Sequence, residues 1–206
     1  WSRTLDVPSH DGAVHRWHLL EKPGTSDHAP VVLCLHGNPT WSFLWSRLMH
    51  EIGDEFRIIA PDQLSMGFSE QVSSRSYRER VADLSDLVDA LHISAPMWLV
   101  AQDWGGAIAM GHAVAHPERV AGMVLSNTGI AIPSGRRAPI LIRAAAALGI
   151  HRLVTQYTKL FVWGMPLLPG VGVSDQQRTA LAYPYLRRKN RQSVADFVAD
   201  APLIAS

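Results

Sequence analysis

Along the first 130 positions of this 206-residue chain, short apolar runs alternate with stretches of helical spacing. Arg3 to Val7 and Ala13 to Leu20 partly alternate apolar with polar, and the Ser9-His10-Asp11-Gly12 between them reads as a hairpin turn. Val31-Val32-Leu33-Cys34-Leu35 is unbroken, as expected of a strand covered on both faces. Arg57 to Ala60 and Met97 to Ala101 repeat that character, and Val120 to Leu125 does so more weakly. Between these runs, Val81, Leu84, Val88 and Leu91 fall on one face of a helix predicted from about Tyr77 to His92. Trp104 to Ala115, rich in Ala and Gly and stopped at His116-Pro117, predicts another. Strands alternating with helices imply an α/β fold with right-handed crossovers and a mostly parallel sheet, the first two strands pairing antiparallel at one edge.

After Asn127 the rhythm is helical only. Helices are predicted over Ala138 to Ile150, His151 to Trp163, Asp175 to Tyr183 and Arg191 to Val198, with breaks at Gly164-Met165-Pro166 and Pro169-Gly170. This block is too apolar for a linker and reads as a helical lid over the sheet. The expected division is therefore a sheet-bearing part, 1–132, and a lid, 133–206.

Composition narrows the function. Apolar residues make up 47% and charged residues 18%, which excludes a disordered chain. A formal charge of +1 provides no long-range field to gather nucleic acid or an anionic membrane. Cys34 is the single cysteine, so an internal disulfide and a thiolate metal cluster are both excluded. No apolar run reaches the roughly 18 residues of a membrane span. Trp1 follows no basic-then-apolar leader, so a cytoplasmic location is expected; the two ends look like the edges of a fragment.

Three segments follow predicted strands, where open α/β sheets place their sites. Val100-Ala101-Gln102-Asp103-Trp104-Gly105-Gly106 joins a strand to a helix, with small residues at 101, 105 and 106 suited to a sharp turn. That is the pattern of a nucleophile elbow, with Asp103 where serine usually stands. The alternative is an aspartate that merely caps the helix beginning at Trp104. His36-Gly37-Asn38-Pro39 follows the Val31 to Leu35 strand. An elbow enzyme needs a backbone N–H from this loop for its oxyanion hole. Gly37 permits close approach, Pro39 shapes the turn, Asn38 offers a side-chain amide, and His36 reads as a structural histidine. Pro61-Asp62-Gln63-Leu64-Ser65-Met66-Gly67-Phe68-Ser69 reads as scaffold, with Asp62 and Ser69 bonding the backbone of their own loop.

The order H-G-N-P, P-D-x-x-x-x-G-x-S, Q-D-W-G-G resembles the haloalkane dehalogenases of the α/β-hydrolase superfamily, over roughly residues 3 to 132. The family usually has Gly at the position of Ser65. The resemblance implies that Asp103 attacks an sp³ carbon and expels halide. It also implies that the Asn38 amide and the Trp104 indole hold the departing anion, and that the backbone N–H groups of both form the oxyanion hole. Asn127, in Ser126-Asn127-Thr128-Gly129, stands where one branch carries its acidic partner, and Asn38 with Asn127 resembles a third branch, related to the β-lactone decarboxylases of olefin synthesis. None of the ten histidines fits the family's base, so the remaining strands, the acid and the base are expected beyond Ser206, and this chain alone is not expected to turn over. The chemistry itself is coherent. Displacement by serine would leave an inert ether, whereas a carboxylate forms an ester that water can cleave. The implied substrate is small and apolar, the implied product a halide or similar anion, and no cofactor or metal is required. A β-lactone decarboxylase, an epoxide hydrolase and, if no histidine follows residue 206, a non-catalytic binding domain are the other readings.

Four lesser features have plain structural readings. Trp163 reads as packed, and Tyr157, Tyr183 and Tyr185 as core or rim residues. Arg187-Arg188-Lys189-Asn190-Arg191 reads as a solvated lid face, and Cys34 as an inert core thiol.

Overall fold

A computed structural model of the chain describes residues 1–129, 152–164 and 172–200. The predicted helix over 138–150, the proline breaks and the expected boundary at 132/133 lie outside the described residues.

Six strands form one sheet: β1 (Ser2–Pro8), β2 (Val14–Lys22), β3 (Val31–Leu35), β4 (Arg57–Pro61), β5 (Met97–Gln102) and β6 (Val120–Ser126). Their order is β1-β2-β4-β3-β5-β6. The β1–β2 hairpin is antiparallel and joins β4 antiparallel, while β4, β3, β5 and β6 pair in parallel. The crossovers β3→β4, β4→β5 and β5→β6 carry α1 (Ser46–Glu51), α2 (Tyr77–Ala90) and α3 (Trp104–Ala115). Three further helices follow: α4 (Leu160–Gly164), α5 (Asp175–Ala182) and α6 (Gln192–Asp200).

The apolar run of β3 is buried on both faces, as its sequence predicts. Val31, Leu33 and Leu35 pack with Leu84, Leu87 and Val88 of α2 and Ile108 of α3, while Val32 and Cys34 pack on the opposite face with Met49 of α1, Ile58 and Ala60. Burial pushes the Cys34 thiol up to about 12, so it is inert, as expected. β5 departs from expectation. Met97, Leu99 and Ala101 are buried, but Trp98 is 44% exposed, because α2 and α3 cover one face of the sheet and no described element covers the other at β5 and β6.

The helices after β6, the segment expected to form the lid, correct three expectations. The helix predicted over His151 to Trp163 divides: Leu153–Tyr157 is a π-helical turn, Thr158 turns extended, and α4 begins afresh at Leu160. Trp163 is partly exposed rather than packed. Arg191 is not on a solvated face. It is buried and donates to the carbonyls of Gln156, Tyr185 and Leu186, tying the lid turns together. Among the tyrosines, Tyr185 is core, while Tyr157 and Tyr183 are exposed.

Candidate active site

The loop after β4 forms the floor. Asp62, fully buried, accepts from the backbone N–H groups of Ser42 (2.7 Å) and Phe68 (2.8 Å), and its other contact is Nδ1 of His18 at 2.8 Å. The Ser69 hydroxyl donates to the Asp62 carbonyl at 2.6 Å, so the scaffold reading of this segment fits. Ser65 has φ +65°, a left-handed backbone that favours glycine, which accounts for the residue the resemblance leads one to expect there. Its hydroxyl accepts from Val72 N–H and its carbonyl accepts from Ser193 of α6 at 2.6 Å, so the loop also anchors the lid.

His36 is fully buried between two loops. Its Nε2 accepts from the Gln63 N–H at 3.0 Å and its Nδ1 donates to the Gly37 carbonyl at 2.9 Å, while the Gln63 amide donates to the His36 carbonyl at 2.6 Å. Burial lowers its pKa, offset in part by the charge of Asp62, so the ring is neutral and ties the loops together rather than moving protons.

Asp103 occupies the turn between β5 and α3 with φ +53° and ψ −124°, a conformation that non-glycine residues rarely adopt. Its side chain makes no capping bond to α3. Instead Oδ1 accepts from the backbone N–H of Asn38 at 2.8 Å, across from the neighbouring strand's loop. Three glycines make the turn possible. A Cβ on Gly37 would lie 2.4 Å from Oδ1 and Cβ of Asp103; on Gly105, 2.3 Å from the Leu35 carbonyl oxygen; on Gly106, 2.6 Å from the Thr128 side chain. The carboxylate is partly exposed. Asn38 and Pro39 are joined by a cis peptide bond.

The structure thus brings Asp103, Asn38 and Trp104 together, with His36, Gly37, Pro39, Gly105 and Gly106 shaping the turn around them. Two partners come from the lid and are invisible to sequence spacing. The Asn38 amide donates to the Val194 carbonyl of α6 at 3.0 Å, and among the described residues its own buried Oδ1 has no donor. The Trp104 indole packs at 5.1 Å from the Phe197 ring, over which the buried Arg80 guanidinium lies at 3.7 Å. Tyr185 donates to the Thr40 carbonyl at 2.6 Å and accepts from Gly67 N–H, so its hydroxyl serves the loops. Asn127, at the end of β6, is exposed with φ +53°, a left-handed position that asparagine tolerates.

Comparison with known proteins assigns the chain to a family. The family described as alpha/beta hydrolase fold matches residues 30–137, just over half of the chain. The chain belongs to that family. Among curated relatives, a cis-3-alkyl-4-alkyloxetan-2-one decarboxylase from Xanthomonas campestris is 34% identical over 195 residues, covering 87% of this chain and 63% of its own. Haloalkane dehalogenase 2 from Mycobacterium bovis is 44% identical over 121 residues, covering 57% of this chain and 40% of its own. Among solved structures, the haloalkane dehalogenase DbeA from Bradyrhizobium elkani superposes with a TM-score of 0.84 at 27% identity, over 98% of this chain and 69% of that one. The expected likeness to dehalogenases and decarboxylases on an α/β-hydrolase fold is met. This α/β-hydrolase chain spans just under two thirds of the length of the first decarboxylase relative. Among the described residues, no helix is long and apolar enough to cross a membrane.

Proposed function

We propose that this chain carries the nucleophilic half of a hydrolase of haloalkane dehalogenase type, with Asp103 as nucleophile. The observation that carries the reading is the Asp103 side chain itself. It forgoes the cap of its own helix and lies instead against an N–H donor of the facing loop. In the proposed step a carboxylate oxygen attacks the carbon bearing the halogen, the C–O bond forms as the C–halogen bond breaks, and the halide leaves with the bonding pair. The anion is received by the Trp104 indole and by the Asn38 amide hydrogen that does not face the Val194 carbonyl; neutral donors stabilise developing charge without holding the product too tightly to release. The Asn38 N–H, together with that of Trp104, then stabilises the oxyanion when water opens the ester. The substrate is small and apolar, and the site is proposed to work without metal or cofactor.

A second reading has an observation of its own. The decarboxylase likeness runs over 87% of the chain, through the lid, whereas the mycobacterial dehalogenase likeness covers 57%. The same attack on a ring carbon of a β-lactone would expel a carboxylate, which loses carbon dioxide as its electron pair forms the alkene and frees Asp103. This route needs no activated water.

Intact-mass analysis after exposure to a bromoalkane tests the shared step. One alkyl adduct is expected on the wild type and none on Asp103→Asn; equal labelling of both rejects Asp103 as nucleophile. Carbon dioxide from a cis-β-lactone, without halide release from the bromoalkane, would select the second reading.

A further inference from the structure

A group of ionisable side chains stands apart from the elbow, where the β1–β2 turn meets α2. The turn closes through Gly12 N–H to Ser9 carbonyl (2.9 Å) and Ser9 N–H to Ala13 carbonyl (2.8 Å), which presents His10 towards the helix. Asp83 and Asp86, three residues apart, project from the same side of α2. Nδ1 of His10 lies 2.7 Å from Oδ2 of Asp86 and 3.8 Å from Oδ1 of Asp83, and the three donor atoms all fall within 4.8 Å of one another.

A His–Asp ion pair accounts for only part of this arrangement. Asp83 is 4% exposed, and among the described residues its Oδ1 accepts no hydrogen bond, although its other oxygen meets Arg75 Nε at 3.3 Å. A proton on Nδ1 hydrogen-bonds Asp86 and meets that buried oxygen only as an ion pair at 3.8 Å, leaving it without a hydrogen bond. A divalent cation reaches all three. Bonds of about 2.0–2.1 Å place neighbouring donors about 3.3 Å apart, and the two separations from Nδ1 bracket that value. The supporting contacts are those of a built site. Asp86 is held by the Ser9 hydroxyl (3.1 Å) and the His10 N–H (2.9 Å), and Asp83 by Arg75, whose own charge is met by Asp11 at 2.6 Å. One imidazole and two carboxylates suit a borderline transition ion rather than calcium or magnesium. His10 and Asp86 are partly exposed, so water can complete the coordination.

We propose that His10, Asp83 and Asp86 form a binding site for a divalent transition-metal ion such as zinc, which clamps the β1–β2 turn to α2. The site is independent of the reaction proposed for Asp103, and its role is structural: the ion joins the edge hairpin to the helix that carries Arg80 beneath the lid.

The test is calorimetric titration of the chain with zinc chloride, paired with thermal unfolding in zinc and in chelator. One zinc per chain is expected, with a melting temperature that rises with zinc concentration. Binding is expected to weaken at least tenfold in His10→Ala and in Asp86→Asn, and to be unchanged in His116→Ala, whose ring lies tilted against that of His112 elsewhere in the fold. Melting in chelator confirms that each variant is folded. Cobalt(II) added to the wild type supplies a readout that needs no variant: visible bands of four- or five-coordinate nitrogen and oxygen ligation. No saturable zinc binding, equal affinity in a folded His10→Ala, or a cobalt spectrum of the hydrated ion would each overturn the proposal.

Discussion

Replacing Gly105 by alanine is the sharpest probe of how the elbow is built. The added Cβ would lie 2.3 Å from the Leu35 carbonyl oxygen and 2.6 Å from that of His36, and both obstacles are backbone. Neither can rotate away, so α3 must retreat from β3 or the loop carrying Asn38 must move. Overpacking by one methyl costs about 1–3 kcal/mol, and rigid neighbours place this site near 3. Against it stands the gain of about 1 kcal/mol for alanine over glycine in a helix. The net loss of about 2 kcal/mol corresponds to a fall in melting temperature of about 4–8 °C for a chain of this size. Urea titration would register a lower midpoint at unchanged slope. Gly111→Ala, in the same helix, is the internal control. There a Cβ meets the Tyr77 hydroxyl and a Val81 methyl at 2.6 Å, both ends of side chains that can yield. Stability within about 1 kcal/mol of wild type is expected. A Gly105→Ala protein as stable as wild type, or equal losses at the two glycines, would refute the claim that backbone approach selects glycine at the elbow.

Two further outcomes follow from buried polar groups. Tyr185→Phe removes the hydroxyl that donates to the Thr40 carbonyl and accepts from Gly67 N–H, so urea unfolding should show a loss of about 1–3 kcal/mol. Burial, reinforced by the charges of His116 and Arg119, lowers the His112 pKa from 6.5 to about 4. Between those values the unfolded chain binds the proton and the folded chain does not, so stability rises with pH across about 4 to 6.5, by up to about 3 kcal/mol from this group. Urea midpoints measured from pH 4 to 7.5 should show that slope diminished in His112→Gln; an unchanged slope would assign it to other groups.

Most of the sheet was legible because its signals are local. The run Val31 to Leu35 and the spacing of Val81, Leu84, Val88 and Leu91 report burial directly, and both fall in the predicted elements. The helix Ser46–Glu51 was not, because the aromatics ahead of it, Trp41, Phe43 and Trp45, stand two apart rather than at helical spacing, and a turn of 3₁₀ helix takes up Ser42–Trp45. The lid was read by type and misjudged in detail. Arg191 looks solvated by composition, yet three carbonyls exposed by the broken helices claim it. At the elbow the spacing of small residues was readable, while the contacts of Asn38 with Val194 and of Trp104 with Phe197 join residues some ninety to one hundred and fifty positions apart, beyond the reach of any local pattern.

The choice between cap and nucleophile at Asp103 turns on what the chain does at the two helix starts where a side chain does form a cap. Ser76 and Ser174 each take extended backbone and complete a capping box with the residue three positions on, Glu79 and Gln177. Such a cap contributes about 1 kcal/mol, and aspartate supplies it as well as serine. Asp103 makes no cap and holds a left-handed backbone instead, a conformation that costs about 1–3 kcal/mol and persists only where the surroundings over-determine it. Those surroundings are specific: glycine at 37 leaves room for the carboxylate, and glycine at 105 lets the turn sit against β3. A residue kept only to begin a helix would have no use for them. An expense of this kind is accounted for by keeping a carboxylate raised from the sheet, within 2.8 Å of a backbone donor, and beneath a lid that already reaches Asn38 and Trp104.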